Sequence, residues 1–260
     1  MKYLFDKWNS ISKKIKGLKI LLCFDYDGTL TPIAKKPEYA KLDFKTRNIL
    51  KNVCKNKKFI LMVISGRPLS EIRKMVKLRD VIYAGNHGFE IEIKKCNFVH
   101  QEAEIASPII KEIRKIIENK IKMIPGAFVE DKKFTLSIHW RLVNKKYLRK
   151  LFSIIKNVIH NNKKIKLTKG KKVWEIRPNI NWDKGKALLW VLSRLSAKRA
   201  GLHVRYPLLP VYVGDDTTDE DAFKALKCGI TVKVGKSNKS KAGYYLKSQQ
   251  EVVKFLKILN

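Results

Sequence analysis

Apolar and polar positions follow two different rhythms along the chain, and the change of rhythm divides it. Leu4, Phe5, Trp8, Ile11, Ile15 and Leu18 recur at helical spacing, which predicts an amphipathic helix packed on the core at the start of the sequence. The run from Lys19 to Phe24, apolar after its first residue, reads as a buried strand that breaks off in Asp25-Tyr26-Asp27-Gly28-Thr29. After a helix marked by Ile49, Leu50 and Val53, the figure repeats. Phe59 to Ile64 stops at Ser65-Gly66-Arg67-Pro68, and Val81 to Ala84 stops at Gly85-Asn86-His87-Gly88. Val211 to Val213 stops at Gly214-Asp215-Asp216, and Ile230 to Val232 is a further strand. Short strands apolar on both faces and separated by helices predict an α/β architecture, a parallel sheet covered on both sides. In such sheets ligands gather beyond the carboxyl ends of the strands, where this sequence keeps its acids, hydroxyls and glycines.

Between about Glu102 and Asn181 the rhythm differs. Helices over Ile109 to Ile121 and Asn144 to His160 alternate with paired strands within Ala127 to Arg141 and Ile165 to Arg177. That pattern predicts an α+β domain, an antiparallel sheet backed by helices on one face, inserted into the first domain. The expected organisation is core residues 1–102, inserted residues 103–180 and core residues 181–260. In the inserted strands Phe134, Leu136, Ile138 and Trp140 share one face, and Thr135, Ser137, His139 and Arg141 share the other.

Composition narrows the function classes. The 260 residues are 45% hydrophobic, enough to bury a core, so disorder as the main state is excluded. Lysine and arginine number 57 against 23 acids, a formal net charge of +34. The excess is dispersed, concentrated only in runs such as Lys55-Asn56-Lys57-Lys58 and Lys163-Lys164, and it lacks the interleaved aromatics that stack bases. It reads as solvated surface, with no specific nucleic-acid partner. No apolar run approaches the ~20 residues that span a bilayer. Residues 1–17 also lack a secretory leader's apolar stretch, so the expectation is a cytoplasmic monomer without a membrane partner. Cys23, Cys54, Cys96 and Cys228 are too scattered for a zinc site or a disulfide framework.

In a chain with few acids, Asp25 with Asp27 and Asp215 with Asp216 concentrate negative charge at strand tips. Clustered carboxylates suit a hard cation such as Mg²⁺. The alternative is that they form turns and helix caps, and Thr217 with Glu220 does have capping-box spacing. Ser65 and Gly66 offer donors for a phosphoryl group, and Lys184, placed before a helix, offers a fixed cation.

In order, Asp25-Tyr26-Asp27-Gly28-Thr29-Leu30-Thr31-Pro32, Ile64-Ser65-Gly66-Arg67-Pro68, Asp183-Lys184-Gly185 and the acid-rich segment Gly214 to Asp221 resemble the four motifs of haloacid-dehalogenase-like phosphatases. More narrowly, Gly85-Asn86-His87-Gly88, Val129-Glu130-Asp131-Lys132, His139-Trp140-Arg141 and Val173-Trp174-Glu175-Ile176-Arg177-Pro178 resemble trehalose-6-phosphate phosphatases. The resemblance runs from about Leu21 to the C-terminus. It implies a Rossmann-like core with an inserted cap, a sugar-phosphate substrate and a Mg²⁺ cofactor. Asp25 would attack phosphorus to form an aspartyl phosphate, and Asp27 would act as acid and then as base. The metal would be held by the Asp25 carboxylate, the Asp27 backbone carbonyl and Asp215, with Asp216 and Asp219 behind them or acting through water. Ser65 would hydrogen-bond the phosphoryl group and Lys184 would offset its charge.

Arg67, Asn86 and His87 are expected substrate contacts; pairing with a nearby acid is the lesser alternative for Arg67, and His87 would equally serve as a core histidine. Glu130, Lys132, Arg141, Lys171 and Glu175 are expected to hold sugar hydroxyls through charge-assisted hydrogen bonds. The expected substrate is trehalose 6-phosphate. The alternatives are another sugar phosphate, such as sucrose phosphate or mannosyl-phosphoglycerate, and a basic nucleic-acid-binding protein carrying relic phosphatase motifs.

Overall fold

The computed structural model describes residues 1–34, 37–94, 96–170, 172–196 and 208–259. The first half of the chain comprises β1 (Lys2–Tyr3), α1 (Trp8–Ile15), β2 (Lys19–Asp25), α2 (Phe44–Lys55), β3 (Phe59–Ile64), α3 (Leu69–Val76), β4 (Val81–Gly85), β5 (Glu90–Ile93), β6 (Cys96–Val99) and α4 (Gln101–Ile121). It continues through β7 (Phe128–Asp131), β8 (Leu136–His139), α5 (Lys145–Ile159), β9 (Ile165–Gly170), β10 (Val173–Pro178) and α6 (Lys184–Ser196). The last elements are β11 (Leu208–Gly214), α7 (Asp219–Ala225), β12 (Ile230–Val234), β13 (Tyr244–Leu246) and α8 (Gln249–Leu259). Two compact units result, one of residues 1–97 with 182–260 and one of residues 98–181.

The first unit is built on a mixed sheet in the order β1-β13-β12-β11-β2-β3-β4-β5-β6. The pairs from β13 through β4 are parallel, and β4 pairs antiparallel with β5. Leu22 and Phe24 of β2, Leu61 and Val63 of β3, and Val211 and Val213 of β11 turn to one side. There they cluster with Leu50 and Val53 of α2, Ile72 and Val76 of α3, and Phe255 of α8. Side chains alternate along a strand, so Asp25 leaves β2 on the opposite side, with Leu21 and Cys23. Strand order reverses between β2 and β11, so the carboxyl ends of these two strands flank the switch point where doubly wound sheets bind ligands.

The edges of this sheet go beyond the sequence expectation. β1 is only two residues long and pairs parallel with β13, too short to register as a period. In the second unit β7-β8-β10-β9 form an antiparallel sheet. Leu136, Ile138, Trp174 and Ile176 cluster with apolar residues of α4 and α5 on one of its faces. α4 starts at Gln101 rather than Ile109 and runs through Pro108. Its buried stripe of Ala103, Ala106, Ile110, Ile113, Ile117 and Ile121 keeps helical spacing across the proline, so tertiary packing outweighs the lost backbone donor.

Among the described residues no helix is long and apolar enough to cross a membrane. The four cysteines are free thiols.

Candidate active site

Register brings the strand tips level. Asp25 pairs with Ile64, Ile64 with Ala84, and Phe24 with Val213, so the segments following β2, β3, β4 and β11 emerge side by side. Asp25 is 5% exposed at the end of β2. Lys184, buried at the first turn of α6, donates from Nζ to Asp25 Oδ1 and to Asp219 Oδ1, each at 2.7 Å. Asp219 is completely buried at the start of α7 and also accepts from the Tyr212 hydroxyl at 2.7 Å and from the Asp216 amide at 2.9 Å. Asp215 follows β11, and one carboxylate oxygen each from Asp25, Asp215 and Asp219 lie within 4.8 Å of one another. Gly28 has φ +91°, and a Cβ there would fall 2.3 Å from the Asp215 carboxylate. The tight turn after Asp25 therefore requires glycine twice over, for its backbone angle and for the close approach.

The electrostatics of the cluster are uneven. Burial pushes the Asp25 carboxyl well above the usual carboxylate range; Lys184 pulls against this, while Asp219 and Asp215 reinforce it. Burial also opposes the charge on Asp219, yet the Lys184 ammonium and the hydrogen bonds from Lys184, Asp216 and Tyr212 hold it below its ordinary value. Burial works against the Lys184 ammonium as well, and the two carboxylates more than offset it. One ammonium faces three carboxyl groups, an excess of negative charge that one divalent cation would cancel. An all-oxygen donor set is the chemistry a hard cation requires, so the residues fit such an ion. Both oxygens of Asp219 already accept hydrogen bonds, which leaves Asp25 and Asp215 as the pair best suited to hold it.

The other expected site residues are placed as follows. Ser65 is 1% exposed and its hydroxyl accepts from the Arg67 amide at 3.1 Å. Asp27 is not with the acid cluster; Arg67 grips both its oxygens, Nε to Oδ2 at 2.7 Å and Nη2 to Oδ1 at 2.8 Å. Arg67 also bonds Glu71 and the Pro37 carbonyl, so its guanidinium pairs with acids and backbone. The Asp216 carboxylate turns away to accept from the Thr217 amide at 2.7 Å. Asn86 and His87 are buried and hydrogen-bond to the segment after β3.

In the second unit, Glu130 of β7, Ser137 of β8 and Glu175 of β10 stand in one cross-strand row. Lys132 Nζ lies 3.9 Å from Glu130 and 3.7 Å from Glu175. Thr135 donates to Glu175 at 3.3 Å. His139 Nε2 is 2.6 Å from Glu130, and its ring stacks on Phe128 with centroids 4.4 Å apart. Glu130, Lys132 and Glu175 thus meet on the sheet face opposite the helices. Arg141 lies beyond the end of β8 and is exposed. Lys171, like His203, lies outside the described residues.

Tyr212 was not legible as a site residue, because in Val211-Tyr212-Val213 it reads as one more core side chain. The signal was a phenol, which needs a hydrogen-bond partner, in an otherwise aliphatic strand. Asp219 was visible as an acid, but its position at a helix start gave capping an equal claim.

Known proteins resemble this chain in sequence and in fold. A family model described as Trehalose-phosphatase matches residues 23–250. Trehalose-phosphate phosphatase B of Arabidopsis thaliana is 38% identical over 267 residues, covering 98% of this chain and 70% of the relative. The solved C-terminal domain of Candida albicans trehalose-6-phosphate phosphatase superposes with a TM-score of 0.79 at 25% identity, covering 96% of this chain and 95% of that one. A haloacid dehalogenase-like hydrolase from Bacteroides thetaiotaomicron shares the fold at a TM-score of 0.61 and 16% identity, over 92% of this chain and 99% of that one. With the family match spanning both units and including Asp25, Lys184, Asp215 and Asp219, the chain belongs to the trehalose-phosphatase family.

Proposed function

We propose that the chain is a Mg²⁺-dependent phosphatase that hydrolyses trehalose 6-phosphate to trehalose and inorganic phosphate. The observation that carries this reading is the convergence of Asp25, Asp215 and Asp219 around Lys184 at the strand switch point of a chain in this family. An oxygen of the Asp25 carboxylate attacks phosphorus, the bond from phosphorus to the sugar oxygen breaks, and Asp27 gives its proton to that oxygen. Water then loses a proton to Asp27 and attacks the aspartyl phosphate; the bond from phosphorus to the Asp25 oxygen breaks, releasing phosphate and restoring the carboxylate.

Arg67 holds both oxygens of Asp27, so that pairing has to loosen before Asp27 reaches the leaving oxygen. Lys184 fixes Asp25 through one oxygen and balances charge beside it. Mg²⁺ bound by Asp25 and Asp215 would neutralise charge on the phosphoryl group. Ser65 is assigned to a phosphoryl oxygen, and Glu130, Lys132, Arg141, Lys171 and Glu175 to sugar hydroxyls. The same reading has the inserted residues 103–180 serving as a cap, and the enzyme acting as a cytoplasmic monomer.

Phosphate release from trehalose 6-phosphate, measured with Mg²⁺ and with EDTA, tests the reading. Turnover only with the metal is expected, and Asp25→Asn should abolish it. Preference for a different ester across a panel of sugar phosphates would move the substrate assignment and leave the chemistry standing. No release from any ester would end both.

A further inference from the structure

The turn after β4 carries an unusual backbone. Asn86 and His87 both adopt left-handed angles, φ 51° and 57°, and Gly88 follows at φ 92°. A left-handed backbone is strained for an L-residue, less so for asparagine, so consecutive ones persist only where surrounding contacts enforce them. Here several contacts lead to one place. The Asn86 amide donates to the Arg67 carbonyl at 2.7 Å and the His87 amide to the Ser65 carbonyl at 2.9 Å. The His87 ring lies flush on Gly66, where an added Cβ would fall 2.8 Å from its Cε1. Asn86 Nδ2 donates to Glu90 at 3.0 Å, and the same Glu90 oxygen accepts from the Leu69 amide at the start of α3, 3.3 Å away. Both ends and the middle of the Ser65–Arg67 segment are therefore held by two residues whose backbone is bent to do so. Asn86 is 0% exposed and His87 7%, so both are packed within the turn they hold.

We propose that Asn86 and His87 are positioning residues that fix the phosphate-binding segment Ser65-Gly66-Arg67, acting on the phosphoryl group through Ser65 and not on the sugar. This rests on the assignment of Ser65 to a phosphoryl oxygen. A brace of this kind affects every phosphate monoester alike, whereas a sugar contact affects only the ester that carries the sugar.

Two variants separate these cases. His87→Asn keeps a residue that tolerates the left-handed turn and removes the ring from Gly66. Asn86→Gly keeps the turn without strain and removes the bond to Glu90. Steady-state kinetics with trehalose 6-phosphate and with p-nitrophenyl phosphate, and calorimetric binding of inorganic phosphate in Mg²⁺, supply the readouts. In both variants kcat/KM should fall for both esters by a common factor, on the order of ten- to a hundredfold for a misplaced donor, with phosphate binding weakened alongside. A loss confined to trehalose 6-phosphate, or no loss with any ligand, overturns the proposal. Wild-type protein that hydrolyses p-nitrophenyl phosphate but not trehalose 6-phosphate would sink the substrate assignment, and the brace would still be judged on the other two ligands.

Discussion

Lys184 reaches Asp25 across 159 residues of sequence, its Nζ 2.7 Å from Oδ1, with both side chains buried. Removing the ammonium leaves Asp25 and Asp219, both buried, without the cation between them. Lys184→Met should lower stability to urea by on the order of 3–5 kcal/mol, the cost of breaking a buried pair. It should also lower kcat by at least about a hundredfold through lost charge stabilisation. A variant with wild-type turnover would show that the lysine is structural only.

The acid cluster makes a testable distinction between two adjacent residues. Mg²⁺ should raise the melting temperature of the wild-type protein, since a ligand that binds only the folded state stabilises it. Asp215→Asn should abolish that rise, while Asp216→Asn should retain it because Asp216 stands outside the cluster of Asp25, Asp215 and Asp219. Thermal unfolding with and without MgCl₂ decides, and equal effects of the two substitutions would contradict the placement.

Tyr212→Phe removes one donor to Asp219 and leaves those from Lys184 and the Asp216 amide. The expected stability loss is about 1–3 kcal/mol, read from the denaturant midpoint, because a buried carboxylate loses a partner. A shift toward greater stability would mean that the phenol is a burden and not a support.

Asp43 caps α2, accepting from the Thr46 amide at 2.9 Å and the Thr46 hydroxyl at 2.6 Å. Burial acts against its charge, but these bonds hold its carboxyl below the ordinary value. A depressed folded-state pKa stabilises above the unfolded value of about 3.9 and ceases to do so as pH falls through the folded value. Asp43→Ala should therefore cost about 1 kcal/mol near neutral pH, and the gap to wild type should close below about pH 4. Paired urea titrations across that range check it; a gap that widens on acidification would reverse the assignment.

The central strands were legible because each is apolar on both faces and ends abruptly in polar residues, as Phe59 to Ile64 does before Ser65. Asp25 and Asp215 were legible because short motifs at strand ends carry their own spacing, and Lys184 because its motif opens a helix. Pairing choices were not: nothing in the sequence tells whether Arg67 meets a phosphate or Asp27, because the outcome depends on how close two separate turns come. The left-handed backbone at Asn86 and His87 was equally hidden, since neither is glycine and both read as polar groups available to a ligand. The two-residue β1 falls below the length at which any rhythm shows.

Side-chain parity in β2 fixes what kinds of length change this protein tolerates. Deleting or inserting one residue within Lys19–Asp25 would swing the carboxylate of residue 25 to the α2, α3 and α8 side of the sheet, away from Lys184. Indels in this lineage should therefore accumulate in the outer helices and connecting loops, while β2 keeps its residue count even where its individual aliphatic side chains drift.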